Sequence, residues 1–203
     1  MYKKIIISFE GIEASGKSTH IKNVSNYLKL NKYKYVQFRE PGGSRSAEKI
    51  RKLILGKQNN FNKKTDLFLY LASRSENFEK IILKNYRKKI ILIDRFVDST
   101  IAYQSGGMGL NRSIVKTLNQ FVLGSIKPDF TFLFLTSPKN LRNRLNKRKK
   151  LNRYDKFKNN FYARVQKSFL SLVKKRKHII INSNNDLKTN KKIILNKLIE
   201  IIK

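Results

Sequence analysis

Gly11-Ile12-Glu13-Ala14-Ser15-Gly16-Lys17-Ser18 follows the apolar run Ile5-Ile6-Ile7-Ser8-Phe9 with only Glu10 between them. The stretch has the form G-x-x-x-x-G-K-S, the phosphate-binding P-loop, in the setting where that loop works: a buried strand, a glycine-rich turn, then a helix from Ser18. Backbone N–H groups of such a turn point at a phosphate, and the helix N-terminus adds partial positive charge. Lys17 can then reach the β- and γ-phosphates of a nucleotide, and the Ser18 hydroxyl can ligate Mg²⁺. A chance match in a glycine-rich background does not explain the motif, because glycine is scarce, with 9 in 203 residues. The expectation is a chain that binds a nucleoside triphosphate.

Outward from the loop, apolar strand-like runs recur at Lys4–Phe9, Tyr35–Arg39, Lys89–Asp94, Phe130–Leu135 and His178–Ile181. Helical spacing fills the gaps. Thr65–Tyr86 carries Leu67, Leu71, Phe78 and Ile82; Phe161, Val165, Phe169 and Val173 repeat every four residues; Leu187–Lys203 carries Ile194, Leu198 and Ile201. Ser137-Pro138 has the form of an N-cap serine followed by proline at the first helical position. Strands alternating with helices predict an α/β fold, a parallel sheet covered on both faces, with the ligand beyond the carboxyl ends of the strands. No internal repeat or low-complexity linker divides the chain, and the expectation is a single domain over residues 1–203.

Other chemically useful residues fall at those strand ends. Asp94 ends its strand and is followed by Arg95. An aspartate there can hold Mg²⁺ through water, and an arginine beside it can grip a phosphoryl group with two donors. Arg39 precedes the turn Glu40-Pro41-Gly42-Gly43 at the same rim. Tyr70 and Arg74 are four apart and share a helix face. A ring and a guanidinium so placed can stack on and hydrogen-bond to a nucleobase; equally, the pattern fits a core tyrosine and a surface arginine. Between two helices, Arg142, Arg144, Lys147, Arg148, Lys149 and Lys150 precede Arg153. That stretch reads either as a solvated loop or as a mobile lid that neutralises phosphate charge.

Composition bounds the alternatives. The chain has 46 Lys and Arg against 13 Asp and Glu, a net charge of +33. Such an excess suits a nucleic-acid surface. It also suits the codon bias of AT-rich DNA, since Lys, Asn and Ile are all abundant and the lysines are spread in pairs. The second reading is preferred, with no specific nucleic-acid partner expected and the field steering anionic substrates. No run of 18 apolar residues spans a membrane, and the first apolar run ends in the P-loop, as a strand does and a signal peptide does not. Zero cysteines exclude disulfides and a cysteine nucleophile and fit a reducing compartment; the expected location is the cytoplasm. His20 and His178 alone cannot build a zinc site.

Taken together, these motifs resemble the thymidylate kinase family of P-loop nucleoside monophosphate kinases, over nearly the whole chain. The matching stretches are Glu10 to Thr19, Phe38-Arg39-Glu40-Pro41-Gly42-Gly43 with Glu48 and Arg51, and Leu69-Tyr70-Leu71-Ala72-Ser73-Arg74. The most specific is Asp94-Arg95-Phe96-Val97-Asp98-Ser99-Thr100-Ile101-Ala102-Tyr103-Gln104, close to D-R-[YF]-x-x-S-x-x-A-Y-Q. Arg153-Tyr154-Asp155 and Phe161-Tyr162-Ala163-Arg164-Val165 match the lid and the helix after it. The resemblance implies a P-loop NTPase fold with five parallel strands in the order 2-3-1-4-5, a lid over about 142–156, a homodimer, and transfer of the ATP γ-phosphoryl group to dTMP for dTTP synthesis.

It also implies roles residue by residue. Gly11, Ile12, Glu13, Ala14, Ser15, Gly16, Lys17, Ser18 and Thr19 would hold ATP, with Ser18 and Asp94 at Mg²⁺. Glu13 would face the acceptor sugar, and Arg39 and Arg95 would clamp the dTMP phosphate. Tyr70 would stack on thymine and Arg74 would bond its O4 edge. Ser99, Thr100 and Gln104 belong to the same substrate site, and Tyr103 would crowd the sugar 2′ position. Ala14-Ser15 stand where some members carry a catalytic arginine, so Arg148 and Arg153 of the lid become the catalytic candidates beside Lys17 and Arg95. Three departures accompany the match: Met108 replaces an arginine, no aspartate ends the fourth strand at Phe134-Leu135-Thr136-Ser137, and Asp155 stands where glutamate is usual. The alternatives are a kinase for another monophosphate such as dUMP, a nucleoside kinase, and a basic nucleic-acid-binding protein.

Overall fold

A computed structural model describes residues 2–56, 58–148 and 151–203. Lys149 and Lys150 of the basic stretch lie outside the described residues. Five strands, β1 (Ile6–Gly11), β2 (Tyr35–Arg39), β3 (Ile90–Asp94), β4 (Phe130–Leu135) and β5 (His178–Asn182), form one all-parallel sheet in the order β2-β3-β1-β4-β5. The expected topology and α/β class are therefore met. β1 is buried along its whole length, its polar Ser8 and Glu10 included, as expected of a central strand covered on both faces.

The helices are α1 (Lys17–Leu30), α2 (Arg45–Leu55), α3 (Lys63–Asn77), α4 (Leu83–Asn85), α5 (Val97–Thr100), α6 (Arg112–Leu123), α7 (Pro138–Asn146), α8 (Asn159–Leu170) and α9 (Leu187–Ile202). On one face of the sheet, Ile7, Phe9, Leu92 and Phe132 pack on Val24 and Leu28 of α1 and on Ile194 and Leu198 of α9. Leu133 packs on the other face against Val165 and Phe169 of α8, while Ile91 and Ile93 meet Ile82 and Leu123. Local signals start the helices. Ser44, Asn62, Asn111 and Asp186 each accept a backbone N–H bond of the first turn, and Ser137 caps α7 by accepting from Asn140 N–H with Pro138 behind it. Each such cap satisfies donors that a helix start leaves open.

Two readings change in detail. β1 runs on to Gly11, which still pairs with Phe134, so the ladder continues into the P-loop. Thr65–Tyr86 is not one helix: α3 gives way to a wider π turn at Phe78–Ile82 before α4. The π turn puts Asn77 and Ile82, five residues apart, both at 0% exposure. Asn77 is needed inside, where it bonds Gly42 O at 2.6 Å and Ser44 N–H at 2.9 Å. A second π turn, Ile101–Gly107, follows α5 directly and carries Tyr103 and Gln104.

Candidate active site

The register brings Gly11, Arg39, Asp94 and Leu135 to one edge of the sheet. A cavity of about 670 Å³ opens there. Its donor end is the loop from Glu13 to Thr19. Two glycines make the loop possible. Gly11 has φ 138°, and a Cβ on it would stand 2.4 Å from Phe134 O; Gly16, at φ 84°, is the N-cap of α1. Lys17 is only 6% exposed. Its ammonium donates to Gly11 O at 2.9 Å, Ile12 O at 2.7 Å and Ser15 Oγ at 3.3 Å. Burial, with the positive Arg95 nearby, pushes its pKa down to about 7. Ser18 Oγ lies 3.3 Å from Asp94 Oδ2, so the loop and β3 present two oxygen ligands side by side, the donor type that Mg²⁺ prefers.

At the acceptor end the polar groups hold one another. Arg95 Nη2 pairs with Glu13 Oε1 at 3.0 Å, and its Nη1 donates to Gly11 O at 2.7 Å. Tyr103 O–H donates to the other Glu13 oxygen, and the guanidinium lies 5.2 Å over the Tyr103 ring. Arg95 has φ 67°, a left-handed conformation that costs a residue with a side chain; its N–H donates to Phe9 O at 3.0 Å. Beneath it, Glu10 is 1% exposed and accepts from Phe96 N–H at 2.9 Å and from the Ser99 hydroxyl. Burial and the negative Asp98 push the Glu10 carboxyl up to about 8.

Arg74 also lines the cavity, but as a buried residue. Its Nη2 pairs with Glu40 at 2.7 Å, and Asn119 accepts from Nη1. Tyr70 lines the same end, and burial pushes its hydroxyl up to about 12. Thr100 Oγ1 and Gln104 Nε2 are buried there without a hydrogen-bond partner. Buried polar atoms left open beside a cavity are what a polar ligand would satisfy. Arg39 stands exposed at the rim, 3.2 Å from Glu48.

Most of the expected residues thus meet in one cavity. Three do not line it. Gly11 and Ile12 contribute carbonyls to Lys17, and the Ile12 side chain is buried in the core below. Arg153 is not among the lining residues and pairs with Asp66 of α3. Arg148 does reach the cavity while paired with Asp155 at 2.7 Å. The structure adds residues that the sequence reading left without a role. Arg144 donates to Ala14 O at 3.0 Å and Ser183 O at 2.6 Å. Arg51 donates to Pro41 O at 2.5 Å. Ser183 lies just past the end of β5, where the strand-end rule that found Asp94 could have found it.

The departures also have places. Asp155 keeps a carboxylate on Arg148 and on Asn152 N–H at 2.9 Å. Thr136 N–H and C=O are both bonded by Gln166, at 3.0 and 3.1 Å. Met108 packs half-buried against the core around α8.

A family model described as Thymidylate kinase matches residues 9–194. The chain is 37% identical to Thymidylate kinase of Finegoldia magna over 98% of both chains. It is 40% identical to Thymidylate kinase of Thermosipho africanus over 87% of this chain and 88% of that one. The crystal structure of thymidylate kinase from Ehrlichia chaffeensis superposes with a TM-score of 0.76 at 31% identity, over 96% of this chain and 97% of that one.

Proposed function

The chain belongs to the thymidylate kinase family, and from that premise we propose that it transfers the γ-phosphoryl group of ATP to the phosphate of dTMP, giving dTDP and ADP. The observation that carries the reading is one cavity in which Lys17 of the P-loop and Arg95, itself paired with Glu13, come together on the Gly11 carbonyl. The P-loop supplies the donor end. An acceptor that is already a phosphate explains why arginines, Arg95 with Arg39 and Arg51, gather at the other.

A bond forms between an acceptor phosphate oxygen and Pγ, and the Pγ–O bond to the β-phosphate breaks. The attacking oxygen is already anionic, so no strong base is required. Catalysis is then placement plus charge neutralisation. Lys17 releases the loop carbonyls and holds the β- and γ-phosphates. Arg95, fixed by Glu13, orients the acceptor phosphate. Tyr70 stacks on the base, while Arg74 and the open Thr100 and Gln104 groups read its edge. Tyr103, tied to Glu13, walls off the 2′ side of the sugar. Ser18 and Asp94 would hold Mg²⁺, which supplies neutralising charge at the phosphates. Among the described residues of the segment 142–156, read as a lid, Arg144 and Arg148 are the cations that line the cavity.

Phosphorus NMR of Mg²⁺-ATP with dTMP tests the transfer. Growth of the dTDP β-phosphate signal as the γ signal decays is expected; inorganic phosphate alone would mean hydrolysis and would reject the acceptor assignment. We also propose a homodimer through α3 and α6, where Phe68, Ile114 and Phe121 are 58%, 58% and 86% exposed. Exposed apolar side chains on two helices that pack against each other favour association. A mass measurement in solution that gives a monomer, unchanged by Phe121→Arg, would reject it.

A further inference from the structure

We infer that Asp66 and Arg153 form a positioning pair for the acceptor end of the cavity, with Arg153 anchoring the basic segment and not binding phosphate. The inference rests on the proposed dTMP reading. Asp66 lies in the first turn of α3, one turn before Tyr70 and two before Arg74, on the same helix face. It is a carboxylate at 1% exposure, and its two oxygens are divided. One takes the Arg153 guanidinium; the other accepts from the Tyr154 hydroxyl.

Arg153 is mostly buried, with 17% of its side chain exposed and its Nε without a hydrogen-bond partner. Its guanidinium lies 5.0 Å over the Tyr154 ring and 5.9 Å over Phe61, and Nη2 also reaches the Tyr154 oxygen at 3.2 Å. Moving it to a phosphate would strip a buried carboxylate of the cation paired with it, which is strongly unfavourable. Arg148, by contrast, is 39% exposed and already borders the cavity.

What the pair fixes is Tyr154. That ring stands edge-on to Tyr70, with centroids 6.2 Å apart at 79°, and to Tyr103, 5.9 Å apart at 73°. Both partners line the acceptor end, and Tyr162 O–H donates to Tyr154 O from behind. Asp66 and Arg153 therefore act through Tyr154 on the two aromatic walls that meet the acceptor nucleoside.

A kinetic double-mutant cycle with Asp66→Asn, Arg153→Gln and the double variant tests this, with thermal midpoints recorded to confirm folding. Each single variant should raise the KM for dTMP about fivefold or more and leave the KM for ATP within about twofold, and the double should be no worse than the worse single, as expected of coupled residues. Arg153→Lys, which keeps the charge, should recover most of the loss. If Asp66→Asn does not fold, Asp66→Glu with Arg153→Lys reads the same split in milder form. A loss of ATP affinity or of kcat with Arg153→Gln that Asp66→Asn does not share, multiplied in the double, would overturn the inference while the wild type still turned over dTMP. A wild type silent on dTMP would reject the reading of the site and this inference with it.

Discussion

The two ends of the cavity hold their cations differently. At the acceptor end two arginines have carboxylate partners, Arg95 with Glu13 at 3.0 Å and Arg74 with Glu40 at 2.7 Å, although Arg95 also shares the Gly11 carbonyl with Lys17. At the donor end they are mostly neutral carbonyls: Lys17 on Gly11 and Ile12, Arg144 on Ala14 and Ser183. A carboxylate partner adds the attraction of a second full charge to the hydrogen bond that a cation also makes to a carbonyl. Arg95 and Arg74 are therefore held by carboxylates before any ligand arrives, whereas Lys17 and Arg144 are parked on carbonyls that a phosphate oxygen can displace. A locked end suits selection by shape; an exchangeable end suits binding and release of a triphosphate.

The sharpest way to break this contrast is Lys17→Ala. Loss of the donor-end cation should lower kcat by about 10³-fold, the upper part of the range for one transition-state donor, with circular dichroism unchanged. Undiminished turnover would remove Lys17 from the chemistry.

Next in size is the pair Arg95→Ala and Arg144→Ala, one from each end. Removing Arg95 leaves Glu13, whose side chain is only 10% exposed, without its cation, so activity should fall and stability should drop by about 3–5 kcal/mol. Removing Arg144 frees only neutral carbonyls, so ATP affinity should weaken while stability falls by less than about 2 kcal/mol. Equal thermal losses in chemical or heat denaturation would erase the distinction.

A smaller effect follows from Lys17, whose pKa is depressed to about 7 from the ordinary 10.5. Below pH 7 the free protein holds it charged; above, it is neutral, and bound phosphate must restore the proton. ATP affinity should then decline as pH rises above 7, by up to about tenfold per unit, with proton uptake on binding. Calorimetry in buffers of different ionisation heat, on either side of pH 7, would show no uptake if the parked lysine were already fully charged.

The smallest expected change is at Thr100, whose buried hydroxyl has no partner. Thr100→Val should raise the KM for dTMP a few-fold, an effect of about 1 kcal/mol, with no loss of thermal stability. A clear loss of stability would mean that the hydroxyl serves the fold and not the ligand.

The strand-end residues were legible because they follow from local patterns, Asp94 and Arg39 ending apolar runs, whereas the strand order came from the resemblance of the motifs to the family. The lid cations were not. Arg142 to Arg153 have near-equivalent spacing, and what separates Arg144 and Arg148 from Arg153 is Asp66, 87 residues earlier. Glu10 was hidden for a similar reason. It flanks the most conspicuous motif in the chain, yet its partners Phe96 and Ser99 stand 86 and 89 residues on. Long-range polar pairing leaves no periodic trace, whereas burial and capping do. The break of α3 at Phe78 went unseen because the apolar spacing runs on through it, while the buried Asn77 beside it bonds Gly42 and Ser44, more than 30 residues earlier.

The most direct test of the account is coupled ADP release from Mg²⁺-ATP with dTMP, dUMP, dCMP, dGMP and thymidine in parallel. The account predicts rapid turnover on dTMP, with dUMP separated from it only by a contact for the 5-methyl group worth about 1–3 kcal/mol, and none on thymidine, which lacks the phosphate that Arg95 and Arg39 would hold. Turnover on thymidine, or on another monophosphate in preference to dTMP, would contradict the acceptor site described here while leaving the P-loop assignment standing.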